Sequence, residues 1–376
     1  IVHMVNKKKI LFIQHTSVLG GSPLSLLYII QSLDRKKFIP SVMFLGGSGE
    51  VIPLFKKENI KIINLKDITV FTHAKGAYTP WFSKKMLKNI LNLFKINYSL
   101  KILRSFFNEN QYDVIHLNTS CLLIPAIAAK KLDSKVIFHI REELHNGVFG
   151  VRKFIFRTIF DEYSDTIISI SRTNAKQLNL GEKVKVIYNS INLNDFNSNK
   201  ISKKSLKNFN IPENRNVFCM LGGAVHSKGA NILLEAAKII LKEYPNTYFL
   251  IAGYPLNLKY GFQPNRYFFN FKQIIKKIVT GEPNMHFECT RILKNNNILA
   301  NRVKFIGFSN NIPALIASSN ALIWPATQSH FSRPIIEAYA MRKPVIASDF
   351  QSSREIVNNY ETGILFKPND SNKLAE

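Results

Sequence analysis

Residues 303–349 read "VKFIGFSNNIPALIASSNALIWPATQSHFSRPIIEAYAMRKPVIASD". Three short apolar runs, "VKFIGF", "NALIWPA" and "KPVIAS", alternate with two stretches of helical period, "NNIPALIASS" and "PIIEAYAM". Short β-branched and aromatic runs bounded by Gly, Asn and Pro read as strands, and the segments between them as helices. The strands are apolar without alternation, which fits burial on both faces of a parallel sheet covered by helices. Between the second strand and the second helix lies a polar, cationic loop with Ser332, Arg333 and Pro334, and the helix carries one carboxylate, Glu337. Proline is favoured at a first helical position, so the helix starts near Arg333-Pro334. The free N–H groups within residues 331–335, Pro334 having none, can then face an anion, while Glu337, a turn inside, can accept hydrogen bonds from a ribose diol.

The same strand–turn–helix order extends in both directions. Upstream, "NVFCMLGG", "ANILLEAAKIILKEY" and "TYFLIAG" open a series that 303–349 continues, with a longer polar and aromatic insertion at 254–300. A separate series occupies the first half: "KKKILFIQH", "LSLLYIIQSL", "FIPSVMFL", "VIPLFKKEN", "IKIINL", "YDVIHLN", "SKVIFHI", "SDTIISIS" and "VKVIYNS". Residues 189–215 are rich in Asn, Ser and Lys with weak periodicity. The expected division is a first Rossmann-like domain at 1–195, a linker at 196–212 and a second Rossmann-like domain at 213–376. A chain of 376 residues suits two domains of ordinary size. Ligands of such folds bind at the carboxyl ends of the strands, and here the expected place is the cleft between the domains.

Composition narrows the function classes. The three cysteines, Cys121, Cys219 and Cys289, are far apart, so they form neither a disulfide framework nor a zinc spacing. The longest clean apolar run, "CLLIPAIAA", is much shorter than the ~18 residues of a membrane span. The net charge of +26 is spread over both halves, with 29 basic against 14 acidic residues in 1–200 and 22 against 11 in 201–376. Phosphorylated substrates, an anionic membrane surface and a Lys-rich compositional bias all fit this excess. Nucleic acid ranks last, because no zinc finger, RNP-type aromatic motif or basic repeat is present.

Residues 68–108 contain seven basic residues (Lys75, Lys84, Lys85, Lys88, Lys95, Lys101, Arg104) and no acidic one. Leu87, Ile90, Leu91 and Phe94 fall at helical spacing behind Trp81 and Phe82. Two readings stand: a basic amphipathic helix lying on anionic lipid, and a helix whose apolar face packs on its own sheet.

The chemistry-bearing motifs are few. No Asp-x-Asp, His-Glu-x-x-His, Gly-x-Ser-x-Gly or Walker loop occurs, and "GGSGE" at 46–50 lacks the third glycine of a dinucleotide fingerprint. Two glycine pairs close a strand before a helix, Gly20-Gly21 and Gly222-Gly223. Glycine there lets backbone N–H groups approach an anion at a helix start. Lys228-Gly229 adds a cation to the second of these sites.

These residues carry a family resemblance. The second half resembles the family-4 retaining glycosyltransferases of GT-B fold. The run 303–349 follows their pattern almost without gaps, the "KG" of "HSKGANILLEA" matches their donor-phosphate lysine, and "GGSPLSLL" is similar to their N-terminal glycine loop. "SDTIISIS" and "VIYNSINLNDF" fit the end of their first domain. The resemblance implies two Rossmann-like domains facing each other across a cleft. It also implies transfer of a hexose from a nucleotide diphosphate-sugar to a saccharide or lipid-linked saccharide, with retention and without a metal or other cofactor. Bacterial surface polysaccharide assembly, in the cytoplasm or peripheral on the inner face of the membrane, is the setting it suggests. The membrane contact is assigned to 75–107.

Carried over by position, Glu337 holds the ribose, Lys228 grips the diphosphate, and Gly20 and Gly21 belong to the loop that closes over the phosphates. Gly222, Gly223, Phe308, Ser329, His330, Phe331, Ser332 and Arg333 complete the expected donor site. The catalytic candidates are Lys228, Arg141 and His139. Three positions depart from the family: its earlier glutamate falls at Ser329, its phosphate arginine at Gly223 and its active-site histidine at Arg141. Arg333 and Arg141 are therefore the candidates for a second cation beside Lys228. Other readings that share the nucleotide half are a sugar-nucleotide epimerase or hydrolase, and an inactive sugar- or nucleotide-binding relative.

Overall fold

The computed structural model describes residues 6–376 apart from 48, 72–92, 131, 145, 147–149, 202–205, 207–208, 258, 260–269, 276–283 and 310. The chain divides into two compact units, Ile1–Ser190 and Ile191–Glu376.

The first unit is a parallel sheet of β1 (Lys8–Gln14), β2 (Phe38–Phe44), β3 (Lys61–Asn64), β4 (Val114–Leu117), β5 (Lys135–Ile140), β6 (Thr166–Ser169) and β7 (Val184–Val186). The strand order is β3-β2-β1-β4-β5-β6-β7, every neighbouring pair parallel. The apolar run of β1 explains itself through the two-residue period of a strand. Ile10 and Phe12 pack with Leu26, Ile30 and Phe55 on one face; Leu11 and Ile13 pack with Leu103, Phe107, Phe156 and Phe160 on the other. Full burial of side chains this size stabilises the unit by about 1.5–3 kcal/mol each.

The helix Ile96–Glu109 contributes Leu103 and Phe107 to that core. The apolar face of this helix packs on its own sheet, but it is not the face of Leu87, Ile90, Leu91 and Phe94 on which the two sequence readings rest, and Phe94 is exposed. Lys95, Lys101 and Arg104 lie exposed with Leu93, Phe94 and Tyr98. Trp81, Phe82, Leu87, Ile90, Leu91, Lys75, Lys84, Lys85 and Lys88 lie outside the described residues.

The second unit repeats the plan with β8 (Asn216–Gly223), β9 (Thr247–Tyr254), β10 (Val303–Gly307), β11 (Ala321–Trp324), β12 (Val345–Ser348) and β13 (Gly363–Phe366). Its order is β10-β9-β8-β11-β12-β13, again parallel. Both sheets thus reverse direction beside their first strand, between β1 and β4 and between β8 and β11, where crossovers leave the strand ends open to a ligand. In the 254–300 insertion, helices Met285–Lys294 and Asn297–Arg302 bring Met285, Cys289, Ile292 and Leu299 into the core under the helix Ala230–Glu243. Within the segment read as a linker, Phe196 and Ile211 are buried in the second unit's core.

Candidate functional site

In the second unit the site is built where β8 and β11 end. β8 closes on Gly222-Gly223, a single helical turn His226–Lys228 follows, and Gly229 in the left-handed region starts the helix Ala230–Glu243. Thr327, just past β11, ties the two loops: its hydroxyl donates to the His226 carbonyl at 2.9 Å and its amide to the Ser227 carbonyl at 3.2 Å.

Lys228 sits between three groups. Its Nζ is 2.6 Å from His330 Nε2 and 4.7 Å from the centroid of the Trp324 ring, and Trp324 meets His330 edge-on at 5.3 Å. His330 Nδ1 is 2.9 Å from the Gln328 carbonyl, which can only accept. Nδ1 therefore carries the proton, and Nε2 is left to accept from the lysine. Burial first, and the Arg333 charge second, bring the Lys228 ammonium down to about 8. Burial and the Lys228 charge hold His330 neutral, down to about 3.

The next loop leads into the helix Arg333–Ala340, with Pro334 in its first turn as the sequence predicts. Ser332 stands at the cap position yet makes no capping bond, and its buried hydroxyl has no hydrogen-bond partner. Arg333 Nε lies 2.9 Å from Glu337 Oε1. Glu337 is 5% exposed, and burial pushes its carboxyl up against the opposing pull of Arg333. Ser329 bonds Ser352 hydroxyl to hydroxyl at 3.0 Å, and Phe331 is buried. Phe308 is 59% exposed and edge-on to Tyr254 at 5.1 Å.

Position 223 has no room for a cationic side chain. Its φ is +69°, and a Cβ there would lie 2.2 Å from the Tyr254 carbonyl oxygen and 2.3 Å from its nitrogen. No side chain fits at that position. Arg333 lies near enough for its charge to lower the Lys228 ammonium.

In the first unit the strand ends collect a buried polar network. Asn118, after β4, donates to Gln14 Oε1 at the end of β1 (2.6 Å) and to the Ser22 carbonyl at the start of the helix Gly21–Ser32 (3.2 Å). Its Oδ1 accepts from Arg141 Nε and Nη2 at 2.9 and 2.8 Å, and Arg141 Nη1 reaches Asn189 Oδ1. Arg141 Nη2 also lies 3.4 Å from His139 Nδ1, and His116 Nε2 lies 3.2 Å from the same nitrogen. Because arginine can only donate, His139 Nδ1 is the acceptor and its proton sits on Nε2, a buried atom with no partner. Burial and the Arg141 charge keep both rings neutral, His116 down to about 3 and His139 well below the ordinary histidine value. At Gly20 the backbone is extended, and a Cβ would meet only the Val18 carbonyl at 4.0 Å; at Gly21 it would meet nothing within 4 Å. The fold requires glycine at neither.

Two family models match in tandem: Glycosyltransferase Family 4 over residues 19–195 and Glycosyl transferases group 1 over 202–376. The chain belongs to these GT-B glycosyltransferases. It is 24% identical over 333 residues to the Escherichia coli UDP-Gal:alpha-D-GlcNAc-diphosphoundecaprenol alpha-1,3-galactosyltransferase, covering 81% of this chain and 77% of that one. It is 22% identical over 281 residues to the Staphylococcus aureus capsular polysaccharide biosynthesis glycosyltransferase CapH, covering 72% and 68%. Among solved structures, Anabaena HepE in complex with UDP-glucose superposes with a TM-score of 0.71 at 21% identity, covering 98% of this chain and 88% of HepE. That likeness shows the fold.

Sequence reading of this glycosyltransferase missed Trp324, Asn118, Gln14, Asn189 and His116. His116 lies inside β4; the others are polar or aromatic at or just past the end of a strand, the signal that marks them. Among the described residues, no helix is long and apolar enough to cross a membrane.

Proposed function

We propose that the chain is a retaining hexosyltransferase that takes its sugar from a nucleoside diphosphate-sugar without a metal ion. The observation that carries this reading is the cationic corner of the second unit. There Lys228, bonded to His330, and the uncapped start of the helix Arg333–Ala340, which carries Glu337, lie at the strand ends where the sheet reverses. Breaking the bond from the anomeric carbon to the diphosphate oxygen puts negative charge on the leaving group. Lys228, Arg333 and the free N–H groups meet that charge as it develops. The acceptor hydroxyl oxygen bonds to the anomeric carbon on the face the diphosphate leaves, and its proton passes to a diphosphate oxygen. Configuration is then retained without a carboxylate nucleophile.

Glu337 accepts from the ribose hydroxyls on this reading, and Phe308, Ser329 and Phe331 border the base and sugar. Gly20 and Gly21, which the fold itself does not demand, leave room for backbone to approach phosphate. Arg141 and the unspent His139 Nε2–H are the first unit's candidates for contact with the sugar. The acceptor is a saccharide or lipid-linked saccharide, by analogy with the galactosyltransferase relative, and the setting is surface glycan assembly at the inner face of the membrane. The exposed Phe94, Tyr98, Lys95, Lys101 and Arg104 support contact with anionic lipid.

The test is transfer from a panel of nucleoside diphosphate-sugars to lipid-linked saccharides, with chelator present, and NMR assignment of the product anomer. Retained configuration with undiminished rate is expected, and Lys228→Ala should lower turnover by roughly 10²–10³-fold. An inverted product, a magnesium-reversible loss in chelator, or a Lys228→Ala rate near wild type would each remove the corresponding part of the reading.

A further inference from the structure

Lysine is a flexible point charge, and an ammonium that must meet a diphosphate is effective only if something other than the ligand holds it. Four features do so here. The aliphatic stem of Lys228 lies against Gly222, where a Cβ would come within 2.7 Å of Lys228 Cγ. The ammonium lies over the Trp324 face at 4.7 Å. It donates to His330 Nε2 at 2.6 Å. The His330 ring is itself fixed, by its Nδ1–H bond to the Gln328 carbonyl and its edge contact with Trp324.

We propose that His330 and Trp324 are positioning residues for Lys228: the imidazole accepts from the ammonium, the indole supports it, and together they hold one Nζ position with its remaining N–H bonds directed at the donor diphosphate. His330 then acts through Lys228 rather than by touching the sugar. The choice of residues follows from charge. A carboxylate at 330 would also hold the lysine but would neutralise it and repel phosphate; a neutral imidazole holds the ammonium and leaves its charge for the ligand. The indole face does the same through its quadrupole. This inference rests on the reading of Lys228 as the diphosphate contact.

The experiment is calorimetric titration with UDP, with inorganic pyrophosphate as a base-free probe and uridine as a phosphate-free control. The proteins are wild type, His330→Leu, His330→Gln, Lys228→Ala and Lys228→Ala/His330→Leu, each checked for an unchanged thermal transition. His330→Leu keeps the bulk and removes the acceptor, and should weaken UDP and pyrophosphate about tenfold while uridine is unaffected. His330→Gln restores an acceptor and should recover affinity to within about threefold. In the Lys228→Ala background, His330→Leu should weaken binding no further, because the charge it positions is gone. Wild-type affinity in His330→Leu, equal losses in the Leu and Gln variants, or losses that add in the double variant would overturn the proposal. If Lys228→Ala alone binds UDP and pyrophosphate as wild type does, the underlying reading of Lys228 fails and the proposal with it, a pattern distinct from the other three.

Discussion

Replacing Gly223 with arginine restores the residue that the family places there, and the geometry says the result is a damaged protein rather than a better one. At φ +69° a side chain sits in the left-handed region, at a cost of roughly 1–2 kcal/mol. The Cβ would also stand 2.2 Å from the Tyr254 carbonyl oxygen, inside any real contact. Relief requires β8 and β9 to separate at the Gly223–Tyr254 pair, which breaks the 3.0 Å bond from the Ala224 amide to that same carbonyl. That bond contributes about 1 kcal/mol. Together the effects amount to about 2–3 kcal/mol, a large fraction of the ~5–15 kcal/mol that holds a domain folded. Urea unfolding should show the midpoint falling accordingly, and UDP titration should show weaker binding in the fraction that folds. Gly20→Ala is the matched control. Its backbone is extended and a Cβ there would meet nothing nearer than 4.0 Å, so stability should change by less than about 0.5 kcal/mol. A Gly223→Arg protein with an unchanged midpoint and tighter UDP binding would refute the reasoning.

The Lys228 ammonium, lowered to about 8, is charged below that pH and neutral above it, so UDP affinity should decline as pH rises through about 8. Stability should move the other way, rising between about 8 and the unfolded lysine value because the unfolded chain then holds the extra proton; titrations and unfolding at pH 7, 8 and 9 check both slopes. Glu337→Gln should weaken UDP about tenfold or more, with the 2′,3′-dideoxy nucleotide bound weakly by wild type and little worse by the variant; equal discrimination by both proteins would make Glu337 a structural partner of Arg333. Three buried neutral histidines, His116, His139 and His330, have folded values below the unfolded one, so stability present above about 6.5 should be lost progressively as pH falls toward 3. Urea midpoints from pH 7 to 4 measure this, and His116→Gln/His139→Gln should flatten the slope.

The strands were legible because β1, β8 and β12 are buried on both faces and spell uninterrupted apolar runs, which few other arrangements tolerate. The helix start at Arg333 was legible from Pro334 alone. The side-chain partnerships were not. Lys228 and His330 are 102 residues apart, Asn118 and Ser22 are 96 apart, and nothing local in either stretch encodes the other. Gly223 was visible as a departure from the family pattern, but only the approach of the Tyr254 backbone shows why a side chain is barred there.

Cap chemistry divides the helix starts of this chain in a way that periodicity does not. Among the described residues, five helices begin at a side chain that closes their own first turn: Ser171 accepts from the Asn174 amide, Asn284 from His286 and Phe287, Asn296 from Leu299, Asn311 from Ala314, and Asp370 from Asn372 and Lys373. Those amides are spent on the fold. The helices that start at Gly20, Gly229 and Ser332 have no side-chain cap, and all three open at the ends of central strands β1, β8 and β11. At Ser332 a good capping residue is present and its hydroxyl is turned to no protein partner. A helix start left uncapped at a strand end where the sheet reverses keeps its amides and its partial positive charge for an anion. The missing cap is not enough by itself, since the helices that start at Val51, Lys95, Leu122, Gly150 and Phe350 also lack one; what sets the start at Ser332 apart is a buried capping hydroxyl left without a partner.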